Sequence, residues 1–300
     1  MTTLTHKATV QIPADVEATV KNRVGQLSML PAIATEALEV TKDPNCSMNV
    51  FSAVVERDAG LATDILAMAN SVMYSPGRPI LSLSEAVVRL GFQQCRNLIY
   101  TSSMASLMNK ISLEEEWIRE ALCRHGFVTA LLSMRLNQAL NLGFQGEEFT
   151  VGLMHDFGRT LLSVAFPQKF AAADPLSFTE DGSGLLRREK MLLGADHSLL
   201  GAWFAERNGL PNTVVEAIRL HHIPERAVLN AKLSALTAVS DHVANHIQRD
   251  QPASAYDSSA NWGLAALQES APNGAAGKLA DVVIPLIERV IAESNELMDF

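Results

Sequence analysis

The stretch VGLMHDFGRT, residues 151–160, places an adjacent histidine and aspartate, His155 and Asp156, inside a mostly apolar segment. Apolar residues at helical spacing around the pair predict that both residues lie within one α-helix. A buried imidazole and a buried carboxylate are costly unless a partner satisfies them. Because both side chains are ligands for first-row metals, the stretch predicts a metal ion as that partner.

The composition favours packed helices. The chain has 300 residues, of which 48% are hydrophobic and only 6% aromatic. Ala, Leu, Val and Met are abundant, whereas sheets prefer β-branched and aromatic residues. No alternation of apolar and polar residues is long enough to build a sheet, so we predict an all-α fold.

The charge and the apolar runs exclude several functional classes. A formal net charge of −9 argues against non-specific binding of nucleic acid, which needs a basic face. No apolar run reaches the ~18 residues of a membrane span, and the first residues do not resemble a signal peptide. Three widely spaced cysteines indicate no disulfide framework. We therefore expect a cytoplasmic protein without a membrane or nucleic-acid partner.

Proline, glycine, serine and aspartate residues that mark the beginnings and ends of helices predict how the chain is organised. Residues 1–22 are interpreted as a tail and a lead-in helix, and residues 23–250 as the main domain. Within that domain the residues 23–110 form an N-terminal helical lobe, and residues 111–250 form a second lobe that holds most histidines. The remaining residues, 251–300, are a linker and a C-terminal helix that packs on the domain. A long helix is predicted at 113–140 and another at 226–247.

The second lobe contains the candidate metal ligands. Imidazole and carboxylate together suit iron, manganese or zinc, and ligands from separate helices are how a helical bundle builds a metal site in its core. Three other histidines, His6, His242 and His246, are interpreted as structural. The candidate ligands are His125, His155, Asp156, His197, His221, His222 and Asp241.

The order H…HD…H…HH…D resembles the HD superfamily of metal-dependent phosphohydrolases, in the extended form seen in HD-GYP phosphodiesterases. The wider chain, about residues 27–243, resembles more closely the HDOD domain, the HD-related output domain of bacterial signalling proteins. The segments that carry this resemblance are LPAIATEALEVTKDPNCS, ERDAGLATDILAMANSVMYSPGRPILSLSEAVVRLGF, GLMHDFGRTLL, GADHSLLGAWFAERNGLP, EAIRLHH and AVSDHVA.

The resemblance implies an HD-like multi-helix core and assigns the ligands. His125, His155, Asp156 and Asp241 fall on the four ligand positions of the basic HD motif. The additional ligands of the binuclear form fall on His197, His221 and His222. Asp156 would bridge a divalent metal pair, with iron or manganese preferred to zinc, and Arg159 would contact a phosphate as a second catalytic group.

The chain departs from the HD-GYP pattern at three places. Arg159 stands where that family usually has lysine, and Ala121 stands where it has glutamate. After His221 and His222 the chain reads IPERAV, without a GYP motif. These departures argue against hydrolysis of cyclic di-GMP in particular.

Two functions of different classes follow. The first is a bacterial signalling module that acts by binding other signalling proteins or a nucleotide-type ligand and retains the metal site. The alternative is a metal-dependent phosphohydrolase that acts on a nucleotide or a cyclic dinucleotide. Whether the protein is an enzyme is left open by the sequence. Helices rich in Ala and Leu could also serve a homodimer.

Overall fold

The computed structural model describes residues 10–24, 30–41, 43, 45–70, 77–111, 113, 115–179, 182–271 and 274–298, with side chains up to residue 295. These residues form α-helices and three short 3-10 turns and contain no strand, which confirms the predicted all-α fold. No helix among them is both long and apolar enough to cross a lipid bilayer. The α-helices are α1 (Ala14–Val24), α2 (Ala32–Val40), α3 (Met48–Val55), α4 (Ala59–Asn70), α5 (Leu83–Lys110), α6 (Glu116–Leu140), α7 (Glu147–Met154), α8 (Phe157–Ala165), α9 (Pro167–Ala173), α10 (Ser183–Leu193), α11 (His197–Arg207), α12 (Asn212–Leu220), α13 (Ala231–Gln248), α14 (Leu264–Ser270) and α15 (Ala275–Met298).

The chain divides into two compact units, of which one comprises Met1–Gln26 with Ser112–Phe300 and the other Leu27–Ile111. The smaller unit is a cluster of four helices, α2 to α5, around a core that includes Phe51, Ile65 and Ile99. Serines begin two of these helices, because Ser47 Oγ accepts from Val50 N and Ser82 Oγ accepts from a backbone N–H one turn later.

The long helix α6 is central to the larger unit. It packs against α7, α13 and the C-terminal helix α15. The guanidinium of Arg135 on α6 donates to both carboxylate oxygens of Glu293 on α15, over 3.0 and 2.8 Å. This pair is nearly buried, and a bidentate geometry of this kind fixes the position of one helix on the other.

Glycines let the helices around the His-Asp pair approach closely. A Cβ on Gly152 of α7 would lie 2.7 Å from Ala130 Cα on α6, and a Cβ on Gly158 of α8 would lie 1.9 Å from the carbonyl oxygen of His197. Neither position has room for any side chain. The two glycines that flank the His-Asp pair therefore set the distances between α6, α7, α8 and α11.

Several predicted helix limits are wrong. The helix predicted to run through His155 and Asp156 is broken there into α7 and α8, because Asp156 adopts φ −101° and ψ 6°, outside the helical region. The apolar pattern continues through the break, so the sequence does not reveal it. Similarly, the helix predicted from residue 226 begins only at Ala231, after a 3-10 turn at Pro224–Arg226.

Candidate metal centre

Two histidines and two aspartates form the first half of a buried cluster. His125 Nε2 on α6 lies 3.3 Å from His155 Nε2 in the turn between α7 and α8. Asp241 Oδ1 on α13 lies 3.2 and 3.6 Å from these two nitrogens. Asp156 Oδ2 lies 3.5 and 3.6 Å from the same two nitrogens. Each of the two carboxylates thus lies within 3.6 Å of both imidazole nitrogens.

The second half of the cluster uses the other oxygen of Asp156. Asp156 Oδ1 lies 3.3 Å from His197 Nε2, at the beginning of α11, and 3.6 Å from His221 Nε2, just after α12. His197 Nε2 lies 3.0 Å from His222 Nε2. The structure therefore brings all seven sequence-predicted ligands into one cluster, with Asp156 between its two halves.

Hydrogen bonds on the far side of the rings aim the imidazoles inward. The Nδ1–H groups of His155 and His221 donate to the carbonyls of Gly152 and Ile218, over 2.8 and 2.7 Å. In a neutral ring this leaves Nε2 as the atom with the free lone pair. Such outer partners are usual for metal-binding histidines, whose orientation and tautomer they fix.

Glu189 is a hydrogen-bond partner of the candidate ligand His197, and the sequence did not reveal this role. This fully buried carboxylate on α10 accepts from His197 Nδ1 over 2.7 Å and from the backbone N–H of His197 over 2.9 Å. Its spacing from the leucines of α10 in LLRREKMLL is the one sequence signal that Glu189 lies on the buried face of this helix.

The donor set fits a metal pair. His221 Nε2 is fully buried and has no hydrogen-bond partner within the described part of the chain. An unpaired buried polar atom is costly, yet this one points toward Asp156 and His197. Three ligand groups satisfy the distances expected around an ion, and Asp156 belongs to two of them.

The electrostatics keep most ligands in their metal-binding forms. Burial lowers the pKa of His125, lowers that of His221 well below its ordinary range, and lowers that of His222 to about 4. Burial opposes ionisation of Asp156 and Asp241, but the neighbouring histidines hold the pKa of both carboxyls well below the usual range. Neutral imidazoles beside ionised carboxylates are the species that bind cations.

His197 differs from these histidines. Burial by itself lowers its pKa, but the Glu189 carboxylate outweighs that effect and raises the pKa to about 9. In the metal-free protein its ring therefore holds a proton at neutral pH. A metal ion at this half of the cluster has to displace that proton.

Arg159 has a different setting from the one predicted for it. Its side chain is 5% exposed, and its Nε and Nη2 donate to the two oxygens of Asp174 over 2.6 and 2.8 Å. Its Nη1 donates to Asp156 Oδ2 over 2.8 Å. The described contacts make Arg159 a positioning residue for Asp156, whereas the predicted phosphate contact stays a prediction. Asp174 follows α9 in a loop, and nothing in the sequence singled it out.

A small cleft opens beside the cluster. Its volume is about 20 Å³, which is room for one or two water molecules, and one side of it is open to solvent. The Phe178 ring borders the cleft and lies 4.9 Å, between ring centroids, from His125. The polar side chains in the cleft wall are those of Asp156, Arg159, Asp174, Ser177, His222, Asp241 and Asn245.

Two of the histidines interpreted as structural, His242 and His246, lie within hydrogen-bonding distance of other protein groups. His242 Nδ1 lies 2.9 Å from the Tyr256 hydroxyl, and His246 Nε2 lies 3.0 Å from the Pro252 carbonyl. Neither ring belongs to the ligand groups among the described residues. His6 lies outside the described residues.

An all-helical fold that gathers histidines and aspartates from several helices defines the class of HD-like helical proteins. Residues 27–224 match the sequence pattern of the HDOD domain. The match spans more than half of the chain, which therefore belongs to the HDOD family.

Known proteins resemble the chain over most of its length. An uncharacterised protein of Treponema pallidum (strain Nichols) is 25% identical over 206 residues, which is 68% of this chain but only 39% of that protein. The chain thus spans about two fifths of the curated relative that it matches.

Solved structures share the fold. An HDOD domain protein of unknown function from Geobacter sulfurreducens has a TM-score of 0.72 at 20% identity, over 92% of this chain and 96% of that one. A protein provisionally named a phosphohydrolase, from Shewanella amazonensis, has a TM-score of 0.64 at 24% identity over 91% and 97%. A protein provisionally named a signal transduction protein, from Marinobacter aquaeolei, has a TM-score of 0.64 at 19% identity over 95% and 63%.

Proposed function

We propose that this chain is a signalling module of the HDOD family whose histidine cluster holds a divalent metal pair and serves as a ligand-binding site. The observation that carries the proposal is the position of Asp156. One of its oxygens faces His125 and His155, and the other faces His197 and His221. A carboxylate placed in this way is suited to bridge two ions.

Charge also supports the proposal. Four buried carboxylates lie in or beside the cluster, and one buried guanidinium opposes them. With neutral imidazoles, as metal binding requires, their formal charge is −3, and the proton that His197 holds in the metal-free protein offsets only one of these charges. The negative charge that remains is unfavourable in a buried site without cations. Two divalent ions, bound after His197 has lost its proton, would change the charge from −3 to +1 and leave the site attractive to one anionic group. The carboxylates are Asp156, Asp174, Glu189 and Asp241, and the guanidinium is that of Arg159.

The donor types favour particular ions. Five imidazoles with two carboxylates suit first-row transition metals, whereas calcium and magnesium prefer oxygen ligands alone. Iron and manganese fit this mixed set, and zinc prefers four-coordinate tetrahedral sites with fewer ligands. We therefore propose iron or manganese as the resident metal.

A metal-dependent phosphohydrolase is the second candidate, because the cleft reaches both cluster carboxylates and a similar structure carries a phosphohydrolase name. A bound metal pair would supply a nucleophile from water at neutral pH and stabilise displacement at phosphorus. The residues of this chain would hold that site rigid. Arg159 fixes one oxygen of Asp156, and the Asn245 amide donates to Asp241 Oδ1 over 2.9 Å.

Partners and location stay predictions. We propose that the module acts in the cytoplasm on another signalling protein or with a nucleotide-type ligand, as its family membership suggests. The homodimer also stays a prediction.

Metal analysis with an activity assay tests the proposal. The protein is purified without oxygen, its metal content is measured, and hydrolysis of a generic phosphodiester, a phosphomonoester and cyclic dinucleotides is assayed with iron or manganese. We expect about two ions per chain and weaker metal binding in Asp156→Asn. The matched control is Asp281→Asn, since Asp281 is an exposed carboxylate on α15.

The outcomes separate the two candidates. Two ions without turnover support the signalling module, and turnover that is lost in Asp156→Asn but kept in Asp281→Asn supports the hydrolase. A wild-type protein that binds no metal would contradict both.

A further inference from the structure

Phe178 covers the half of the histidine cluster that contains His125. Its ring lies 4.9 Å from the His125 ring, with an interplanar angle of 32°, and 4.9 Å below the guanidinium carbon of Arg159. The side chain is 9% exposed, although it belongs to a surface segment. It therefore borders the cleft through which a group from solvent would reach Asp156.

The segment that carries Phe178, residues 174–179, is held at several points and is here called the strap. Asp174 receives two hydrogen bonds from Arg159, and its Oδ1 accepts from Leu176 N over 2.9 Å. Arg249 on the chain after α13 donates to the Phe178 carbonyl. The strap is thus fastened to the elements that position Asp156 and to the end of the helix that carries Asp241.

The strap backbone has an uncommon conformation. Leu176 and Phe178 have φ values of 51° and 53°, in the left-handed region that non-glycine residues rarely adopt. Such conformations persist only where surrounding contacts impose them, and they concentrate at ligand-binding segments. Here the imposed conformation turns both side chains inward, where Leu176 is 7% and Phe178 is 9% exposed.

The space that remains under Phe178 is small. The cleft volume of about 20 Å³ accepts water or one small group, and Pro175 and Leu185 also border the cleft. Close by, Gly182 approaches His222 so tightly that a Cβ would lie 2.2 Å from Nδ1. A bulky group on this side of the cluster would therefore meet the Phe178 ring.

From these contacts we infer that Phe178 determines the size of the ligand that the cluster accepts. It leaves room beside the cluster for one oxygen atom of a small oxyanion, such as inorganic phosphate or an unesterified terminal phosphoryl group, and excludes phosphodiesters with bulky organic groups. This inference rests on the proposed metal pair, whose residual positive charge would attract the oxyanion. Phe178 is a specificity-determining residue, since it borders the ligand space without contributing a polar atom to it.

The first test compares two anions on manganese-loaded full-length protein. Affinities of inorganic phosphate and diphenyl phosphate are measured for the wild type, Phe178→Ala and the control Thr179→Ala, since Thr179 is an exposed strap residue outside the cleft. We expect the wild type and the control to prefer phosphate by about tenfold or more, and Phe178→Ala to bring the two affinities within about threefold. A wild type that binds both anions equally, or an unchanged preference in Phe178→Ala, overturns the inference.

A second measurement does not need metal. Hydrogen–deuterium exchange at the histidine C2 positions is followed by mass spectrometry in the metal-free protein. We expect Phe178→Ala to accelerate exchange at His125 about fivefold or more, with little change at His221, while Thr179→Ala resembles the wild type. Unchanged exchange at His125 overturns the inference. If the wild type binds no metal, the proposed function fails, and this exchange still decides whether Phe178 covers the cluster.

Discussion

Replacing Gly158 by alanine would disturb one half of the metal centre more than the other. Gly158 is the second residue of α8, two positions after Asp156, and its backbone lies against the first residue of α11. The added Cβ would lie 1.9 Å from the His197 carbonyl oxygen and 2.8 Å from Gly201 N. Both obstacles are backbone atoms, which cannot rotate away as a side chain would.

The size of the effect follows from that contact. Ordinary van der Waals contact begins near 3.4 Å, so α8 and α11 would have to separate by about 1.5 Å in a close-packed interior. Metal–ligand distances tolerate only about 0.2 Å. His197 would therefore leave the second half of the cluster, whereas His125 on α6 and His155, which directly follows α7, would keep their positions. Overpacking of this kind costs about 1–3 kcal/mol of unfolding free energy.

Metal content and denaturant unfolding measure the two consequences. We expect Gly158→Ala to retain about one ion per chain where the wild type has about two, together with the lower stability. The control is Gly277→Ala on α15, because a Cβ there would meet no atom within 4 Å. That control should keep both ions and gain up to about 1 kcal/mol. A Gly158→Ala protein with wild-type stability and two ions would refute the reasoning.

Three further substitutions probe other contacts. The protonated His197 ring stabilises the metal-free fold fully below pH about 6.5, and this contribution is lost as pH rises through about 9, the pKa of His197 in the folded protein. Glu189→Gln should lower the pKa of His197 in an NMR titration, and an unchanged pKa would count against the pairing of His197 with Glu189. Asp174→Ala leaves the buried Arg159 with one carboxylate partner fewer, so denaturant unfolding should show a loss of about 3 kcal/mol, whereas a loss below about 1 would contradict a buried ion pair. Ser47→Ala removes the α3 cap and should cost about 1 kcal/mol in the same assay, while an unchanged midpoint would show that the cap contributes nothing.

Local chemistry explains which structural features the sequence predicted. Serine is typical of helix N-caps, and Ser47 and Ser82 cap α3 and α5. Glycine accepts backbone conformations that other residues avoid, and Gly91 interrupts α5 with a φ of 74°. The residue types of the seven candidate ligands, read with the family resemblance, also identified the members of the cluster.

The features that the sequence missed depend on contacts between distant segments. The break at Asp156 lies in a continuous apolar pattern, and the approach of α8 to α11 at Gly158 accompanies it. Glu189 and Asp174 are ordinary acidic residues in the sequence, and only the fold brings them against His197 and Arg159. Such pairings carry no local signal.

Electron paramagnetic resonance of the manganese-loaded protein tests the bridging position of Asp156 most directly. Two ions that share this carboxylate would lie about 3.5–4 Å apart, close enough for their spins to couple. We predict the spectrum of a coupled pair in the wild type and its loss in Asp156→Asn. A wild-type spectrum that contains only isolated manganese ions would contradict a shared centre.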